Sequence, residues 1–282
     1  MTAGWTPKRD EALFRLDGDL LVPGVLTRGP WYHGTLHGSA MLAAIARGAE
    51  RHPSEVDRQV VRLTVDMMRA APMAPLRVET TTVRAGKSID FVDVAMFAGD
   101  ELCVRGSALR MRTVDLVVDE PEDAPPPPAL PAADPAGVPF FSHPGSDQPA
   151  FHHAIDVRAD VDTDVVWFRL AVPVVEGEEN TSAVTVAAIA DWTYATPHLL
   201  RNARGLARPS RAVHAINADT TINAFRPLSG DWLGLRTTAH TGSLGAGTSS
   251  AHLYDAEGAL GFSAQSVLVR GPSGAPLSVR ET

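Results

Sequence analysis

From Thr185 to Leu200 the chain reads TVAAIADWTYATPHLL, and from Met41 to Pro53 it reads MLAAIARGAERHP. Both stretches are rich in alanine and apolar residues, and both read as buried helices. Each contains AAIA, followed in one case by Asp191 and in the other by Arg47. A carboxylate on an apolar helix is costly unless it sits at an exposed edge, is paired, or does chemistry. The chain therefore writes one helix twice and puts an acid on only one copy.

The surroundings of the two helices also repeat. The expected helices run over 37–51 and 182–201, and each is followed by four β-rich stretches. In the first half these are VVRLTVDMMRAA, LRVETTTVRAG, SIDFVDVAMFAG and ELCVRGSALRMRTV; in the second, AINADTTINAFRPL, WLGLRTTAHTG, GTSSAHLYDAEG and LGFSAQSVLVRG. Their alternation and turn residues suit antiparallel strands with one face on a core. Arg69 matches Arg226 at a separation of 226 − 69 = 157, Leu102 matches Leu260 at 158, and Ala43 matches Ala187 at 144. Recurrence of a helix and four strands in one order marks an internal duplication. Between the halves, Pro125–Pro128 are four consecutive prolines, which suit an extended connector. The expected division is 1–118, a Pro-rich linker at 119–150, and 151–282, which carries the acid.

Bulk composition narrows the function classes. The chain has 282 residues, a net charge of −8 and 44% apolar residues, as a globular protein does. An acidic chain without a basic stripe argues against nucleic-acid and membrane-surface partners. One cysteine, Cys103, rules out an internal disulfide framework and a cysteine-built metal site. With no signal-peptide pattern and no spanning apolar run, a cytoplasmic location is expected.

The segments YHGTLHGSAMLAA (32–44), LTVDMMRAAP (63–72), VRAGKS (83–88), AAIADWTYA (187–195), INADTTINAFRPL (216–228) and SAQSVLVR (263–270) come in an order and spacing that resembles the double-hotdog acyl-CoA thioesterases. These are the thioesterase II family and its actinobacterial relatives. The resemblance implies an α+β fold of two hotdog repeats, each an antiparallel sheet wrapped around a central helix. It also implies acyl-CoA or an acyl-carrier thioester as substrate, no cofactor, and association into homo-oligomers. The family's helix Asp, strand Ser/Thr/Asn and last-strand Gln fall on Asp191, Asn217 and Gln265. The first-half counterpart of Gln265 is then Ser107, at the 158 separation, so the resemblance implies one active site per pair of repeats. The oxyanion would rest on backbone N–H groups near Gly34. There the chain has His33-Gly34 in place of the family's two glycines.

These residues suit thioester hydrolysis. A carboxylate can hold and deprotonate a water, and its pKa is expected to be raised beside an apolar helix. Two amides can orient that water, which favours the water route over Asp191 as a direct nucleophile. Each assignment has a plainer alternative. Asp191 could be a solvated helix edge, and Gln265 an outward-facing strand residue. Asp219 rivals Asn217 from the same strand face. Arg84 and Lys87 could meet coenzyme A phosphates or simply form a charged β-turn. Trp192 and Tyr194 could line an acyl pocket or fill the core. His33 and His37 stand four apart, but no ligand cluster completes a metal site. No GxSxG elbow supports a serine hydrolase. The glycines of TGSLGAGTSS (241–250) have no GK[ST] after them and read as a hairpin loop. Two rival functions remain: a hotdog hydratase or isomerase on acyl thioesters, whose Asp/His pair on one helix is not evident here, and a non-catalytic acyl-CoA or lipophilic-ligand binder.

Overall fold

The computed structural model describes residues 11–29, 34–117, 127–133, 148–206 and 214–270. The first half contributes β1 (Phe14–Asp17), β2 (Leu20–Pro23), α1 (Gly38–Arg51), β3 (Arg58–Met67), β4 (Leu76–Arg84), β5 (Ile89–Ala98) and β6 (Glu101–Arg112). The second contributes β7 (Ile155–Asp160), β8 (Val165–Leu170), α2 (Ser182–Ala190), α3 (Thr196–Ala203), β9 (His214–Asn217), β10 (Asp219–Ala224), β11 (Leu233–Thr241), β12 (Ala246–Asp255) and β13 (Gly258–Arg270). Most of the connector expected over 119–150 lies outside the described residues.

The strands form one antiparallel sheet in the order β1-β2-β4-β5-β6-β3-β10-β13-β12-β11-β8-β7, with β9 added against β13. Read from either end the pattern is the same: a hairpin, then three strands, then the strand that follows the helix. The halves meet where β3 pairs with β10. Thr64 lies opposite Thr221, and their hydroxyls are 3.1 Å apart. Those residues are 221 − 64 = 157 apart, the repeat separation, so a local twofold axis passes between them. Arg62 opposite Asn223 and Asp66 opposite Asp219 complete the reciprocal pairing such an axis requires. This is the expected double hotdog. The hairpins β1-β2 and β7-β8 went unread in the sequence because they precede the helices.

The sheet wraps the two helices. Every residue from Ser39 to Ala46 and from Val184 to Thr193 is buried, which is the mark of central rather than surface helices. Their abundant alanine lets them pack side by side and antiparallel. Ser39 at the start of α1 touches Asp191 just beyond α2, and Glu50 near the end of α1 touches Thr181 just before α2. Arg110 on β6 closes the end of α1. Its guanidinium donates to the carbonyls of Ala49 and His52 while gripping Asp90 at 2.7 Å.

The single helix expected over 182–201 is two helices. The chain leaves α2 at Asp191 and turns through 191–195 before α3 starts. Pro197 in the first turn of α3 has no N–H to give to Thr193, so it suits a helix start rather than a helix running on from α2. The Thr193 hydroxyl also bonds back to the Ala190 carbonyl at 2.7 Å. The break leaves Asp191 at a helix end, where its side chain can face a cavity.

Candidate active site

Asp191 is fixed from three sides. Asn217, the last residue of β9, donates its amide to Asp191 Oδ1 at 3.0 Å and to the Asp191 carbonyl at 3.1 Å. From α1, the Ser39 hydroxyl donates to Oδ2 at 3.1 Å, and His37 Nδ1 lies 3.2 Å from the same oxygen. Gly38 lies directly over the carboxylate: a Cβ there would be 2.5 Å from Oδ1 and 2.7 Å from Oδ2. Only glycine permits this approach. Burial pushes the Asp191 carboxyl up, but His37, Asn217 and Ser39 together hold it below the usual carboxylate value. The raised pKa expected from the sequence is thus reversed, because the apolar helix ends at a ring of donors.

Gln265 acts behind the carboxylate. Its amide donates to the Asp191 carbonyl at 3.1 Å and to the Thr220 hydroxyl at 3.0 Å. Its oxygen accepts from the Tyr194 N–H at 2.9 Å and the Ser249 hydroxyl at 3.2 Å. Gln265 therefore fixes the break after α2 rather than touching the carboxylate. Asp219, the sequence rival of Asn217, accepts from the Ser266 N–H and stitches β10 to β13.

A cavity of about 560 Å³ opens over Asp191. His37, Gly38, Asn217, Trp192 and Tyr194 line it together with Met41, Met67, Met68 and Ile216, and the exposed Arg69 and Arg270 also border it. The His37 ring stacks on Phe151 at 4.8 Å and on Trp192 at 5.3 Å between centroids. Among the described residues no His, Cys, Asp and Glu cluster could hold a metal.

The structure thus brings Asp191, Asn217 and Gln265 together, and places the other candidates elsewhere. His33 lies outside the described residues. Gly34 is exposed with φ +83° and does not line the cavity. The helix start that faces the carboxylate is His37-Gly38-Ser39, about one turn later. Arg84 ends β4 and Lys87 lies in the β4–β5 turn, which is tied to the first residue of β3 by Arg58 donating to the Gly86 carbonyl. The cavity is at the last residue of β3, about 30 Å away along a ten-residue strand. His37 was missed as a site residue because its spacing from His33 drew attention to metal binding. The available signal was a histidine at the N-cap of the helix copy that lacks the acid.

The duplication explains the rest. Because Thr64 faces Ser107 and Thr221 faces Ala264, Ser107 matches Ala264. The counterpart of Gln265 is then Ala108 (265 − 157), not Ser107, a one-residue correction to the sequence register. In the helices, Arg47 replaces Asp191 and Thr181 replaces His37, at the 144 separation. Arg47 there grips Glu178 through two bonds of 2.7 and 2.6 Å. That second cavity, about 430 Å³, holds an ion pair where the first holds a lone carboxylate.

Sequence profiles of the acyl-CoA thioesterase N-terminal and C-terminal domains match residues 27–111 and 121–269. The chain belongs to the acyl-CoA thioesterase family. No curated protein matches it in sequence. Solved structures share its fold. A hot dog protein of unknown function from Alicyclobacillus acidocaldarius is 19% identical, with a TM-score of 0.66 over 93% of this chain and 97% of its own. A tesB protein from Mycobacterium avium subsp. paratuberculosis is 15% identical, with a TM-score of 0.60 over 89% and 92%. An acyl-CoA thioesterase II, TesB2, from Mycobacterium marinum is 19% identical, with a TM-score of 0.54 over 78% and 84%.

Proposed function

We propose that this thioesterase-family chain hydrolyses acyl-CoA thioesters to a free acid and coenzyme A at the Asp191 cavity. The observation that carries the reading is one buried carboxylate, held by Asn217, Ser39 and His37, lining a cavity that Met41, Met67 and Met68 also border. Its oxygens set the position of the attacking water and its neighbours, while Gln265 holds the helix end that presents it. The acyl chain takes the side lined by Met41, Met67 and Ile216, where thioether side chains adapt to different shapes. The Gly38 N–H, the first of α1, is the donor for the developing oxyanion, so the oxyanion role moves from Gly34 to Gly38.

A second reading has an observation of its own. His37 beside Asp191 makes an Asp/His pair, here across two helices where a hotdog hydratase is expected to carry it on one. Thiol release from short, long and aromatic acyl-CoAs, run beside loss of an enoyl-CoA double bond, separates the two. Release that falls about a hundredfold in Asp191→Asn supports the hydrolase. No release from any substrate, with loss of the double bond, replaces it with the hydratase.

A further inference from the structure

A carboxylate whose oxygens already accept from Asn217, Ser39 and His37, and which is held below its ordinary pKa, is a weak proton acceptor. The imidazole next to it is better placed. His37 Nδ1 lies 3.2 Å from Asp191 Oδ2 and 3.1 Å from the Ser39 N–H. One nitrogen cannot both donate to the first and accept from the second. With an ionised carboxylate so close, a lone pair on Nδ1 would face negative charge, so Nδ1 carries the proton and gives it to Asp191. Nε2 then keeps its lone pair. No hydrogen bond to that atom is present among the described residues, and its side chain, 15% exposed, borders the cavity. Phe151 and Trp192 hold the ring plane by stacking.

We propose that His37 Nε2, not Asp191, is the general base, and that Asp191 is the carboxylate that orients it. The inference rests on the hydrolase reading. Nε2 takes a proton from water as the water oxygen bonds to the thioester carbon, and the carbonyl electron pair moves onto oxygen beside the Gly38 N–H. When the carbonyl re-forms, the C–S bond breaks, and the imidazolium returns its proton to the departing sulfur. Water and thioester give acid and thiol, and His37 is restored. This is the logic of a base held by a third group, built here from the two halves of the duplication.

The other ionisable groups lining the cavity are Tyr194, Arg69 and Arg270, and the turn under Phe151 carries His152 and His153. The test measures kcat/KM for thiol release against pH for wild type, His37→Gln, His37→Gly and Asp191→Asn. His37→Gly keeps a residue acceptable at an N-cap, so the fold is expected to survive. The expected result is a loss of roughly a hundredfold or more in both His37 variants. The acid limb of the wild-type profile should be missing from His37→Gln. Added imidazole should restore at least part of the loss in His37→Gly and none in Asp191→Asn. A His37→Gln enzyme that keeps its rate and its acid limb overturns the assignment and returns the proton to Asp191. A wild type that releases no thiol fails earlier, at the hydrolase reading itself.

Discussion

Gly38→Ala is the sharpest single test of the geometry around Asp191. The new methyl would lie 2.5, 2.7 and 2.8 Å from three atoms of the carboxylate, where real Cβ contacts do not fall below 3.0 Å. The carboxylate or the start of α1 must then retreat by at least 3.0 − 2.5 = 0.5 Å. The bonds from Asn217, Ser39 and His37, now 3.0, 3.1 and 3.2 Å, would stretch to 3.5 Å or beyond, the limit of a hydrogen bond. Losing one or two bonds to a charged group costs about 1.5–3 kcal/mol each. Alanine at a helix start returns only about 0.4–1 kcal/mol through the unfolded chain. The loss wins, so a net destabilisation of about 2 kcal/mol is expected, a Tm drop of roughly 5 °C for a chain of this size. Displacement of catalytic groups on this scale also lowers kcat/KM by about a hundredfold. Thermal melts and thiol release measure both. A Gly38→Ala protein with unchanged or higher Tm and wild-type turnover would refute the packing argument, since a free methyl at this spot is what it forbids.

Gln265→Leu should cost about 2–4 kcal/mol in urea unfolding, because it strands buried partners at the end of α2. Turnover should fall with it, as the turn that presents Asp191 loosens. Arg110→Met should cost about 3 kcal/mol by the same assay, because Asp90 keeps only Arg58 at 3.1 Å and the last carbonyls of α1 lose their donor. Turnover per folded molecule should stay close to wild type. Burial pushes the Glu50 carboxyl above its ordinary value against a smaller opposite pull from Thr181, so folding favours its protonated form. Its contribution is therefore present at acid pH and lost as pH rises through the folded value. Glu50→Gln should raise Tm at pH 8 and raise it less at pH 4, and equal shifts at both would contradict the assignment.

The duplication was legible in the sequence because both copies of the helix kept AAIA and the strands kept their order. Asp191 was legible as a residue because it interrupts an apolar helix, whereas Asn217 and Gln265 were read from the family resemblance. Three things were not. The helix over 182–201 hid its break, since the turn is held by the Thr193 hydroxyl on the Ala190 carbonyl and by the Tyr194 N–H on Gln265, a strand residue that no local pattern announces. The strand register slipped by one at Ser107 because it was counted from Leu102 and Leu260, like letters 158 apart; the irregularities in β6 and β13 skip Cys103 and Leu260, which are 260 − 103 = 157 apart, so Leu260 answers to Cys103. His37 stayed unassigned because its partner is 154 residues away, an end-to-end meeting that periodicity cannot report.

That meeting decides why a double chain is needed. A carboxylate at the C-terminal end of α2 faces the negative end of its own helix, which disfavours the charge. It is stable at Asp191 because the antiparallel α1 brings its positive N-terminal end, with Gly38 and Ser39, against the same atoms. The other end of the helix pair has matching geometry but the opposite solution. Arg47 sits toward the C-terminal end of α1, where a cation is favoured, and Glu178 sits just before the N-terminal end of α2, where an anion is favoured. The charges of Arg47 and Glu178 there neutralise each other within the protein. At the Asp191 end the described side chains against the carboxylate are Asn217, Ser39 and His37, none of them a lysine or arginine, so the charge remains available to hold an imidazole. Each end draws one helix terminus from each half. A single repeat therefore carries half of each end, and the asymmetry between Asp191 with His37 and Arg47 with Thr181 is what turns a symmetric pair of helices into one site.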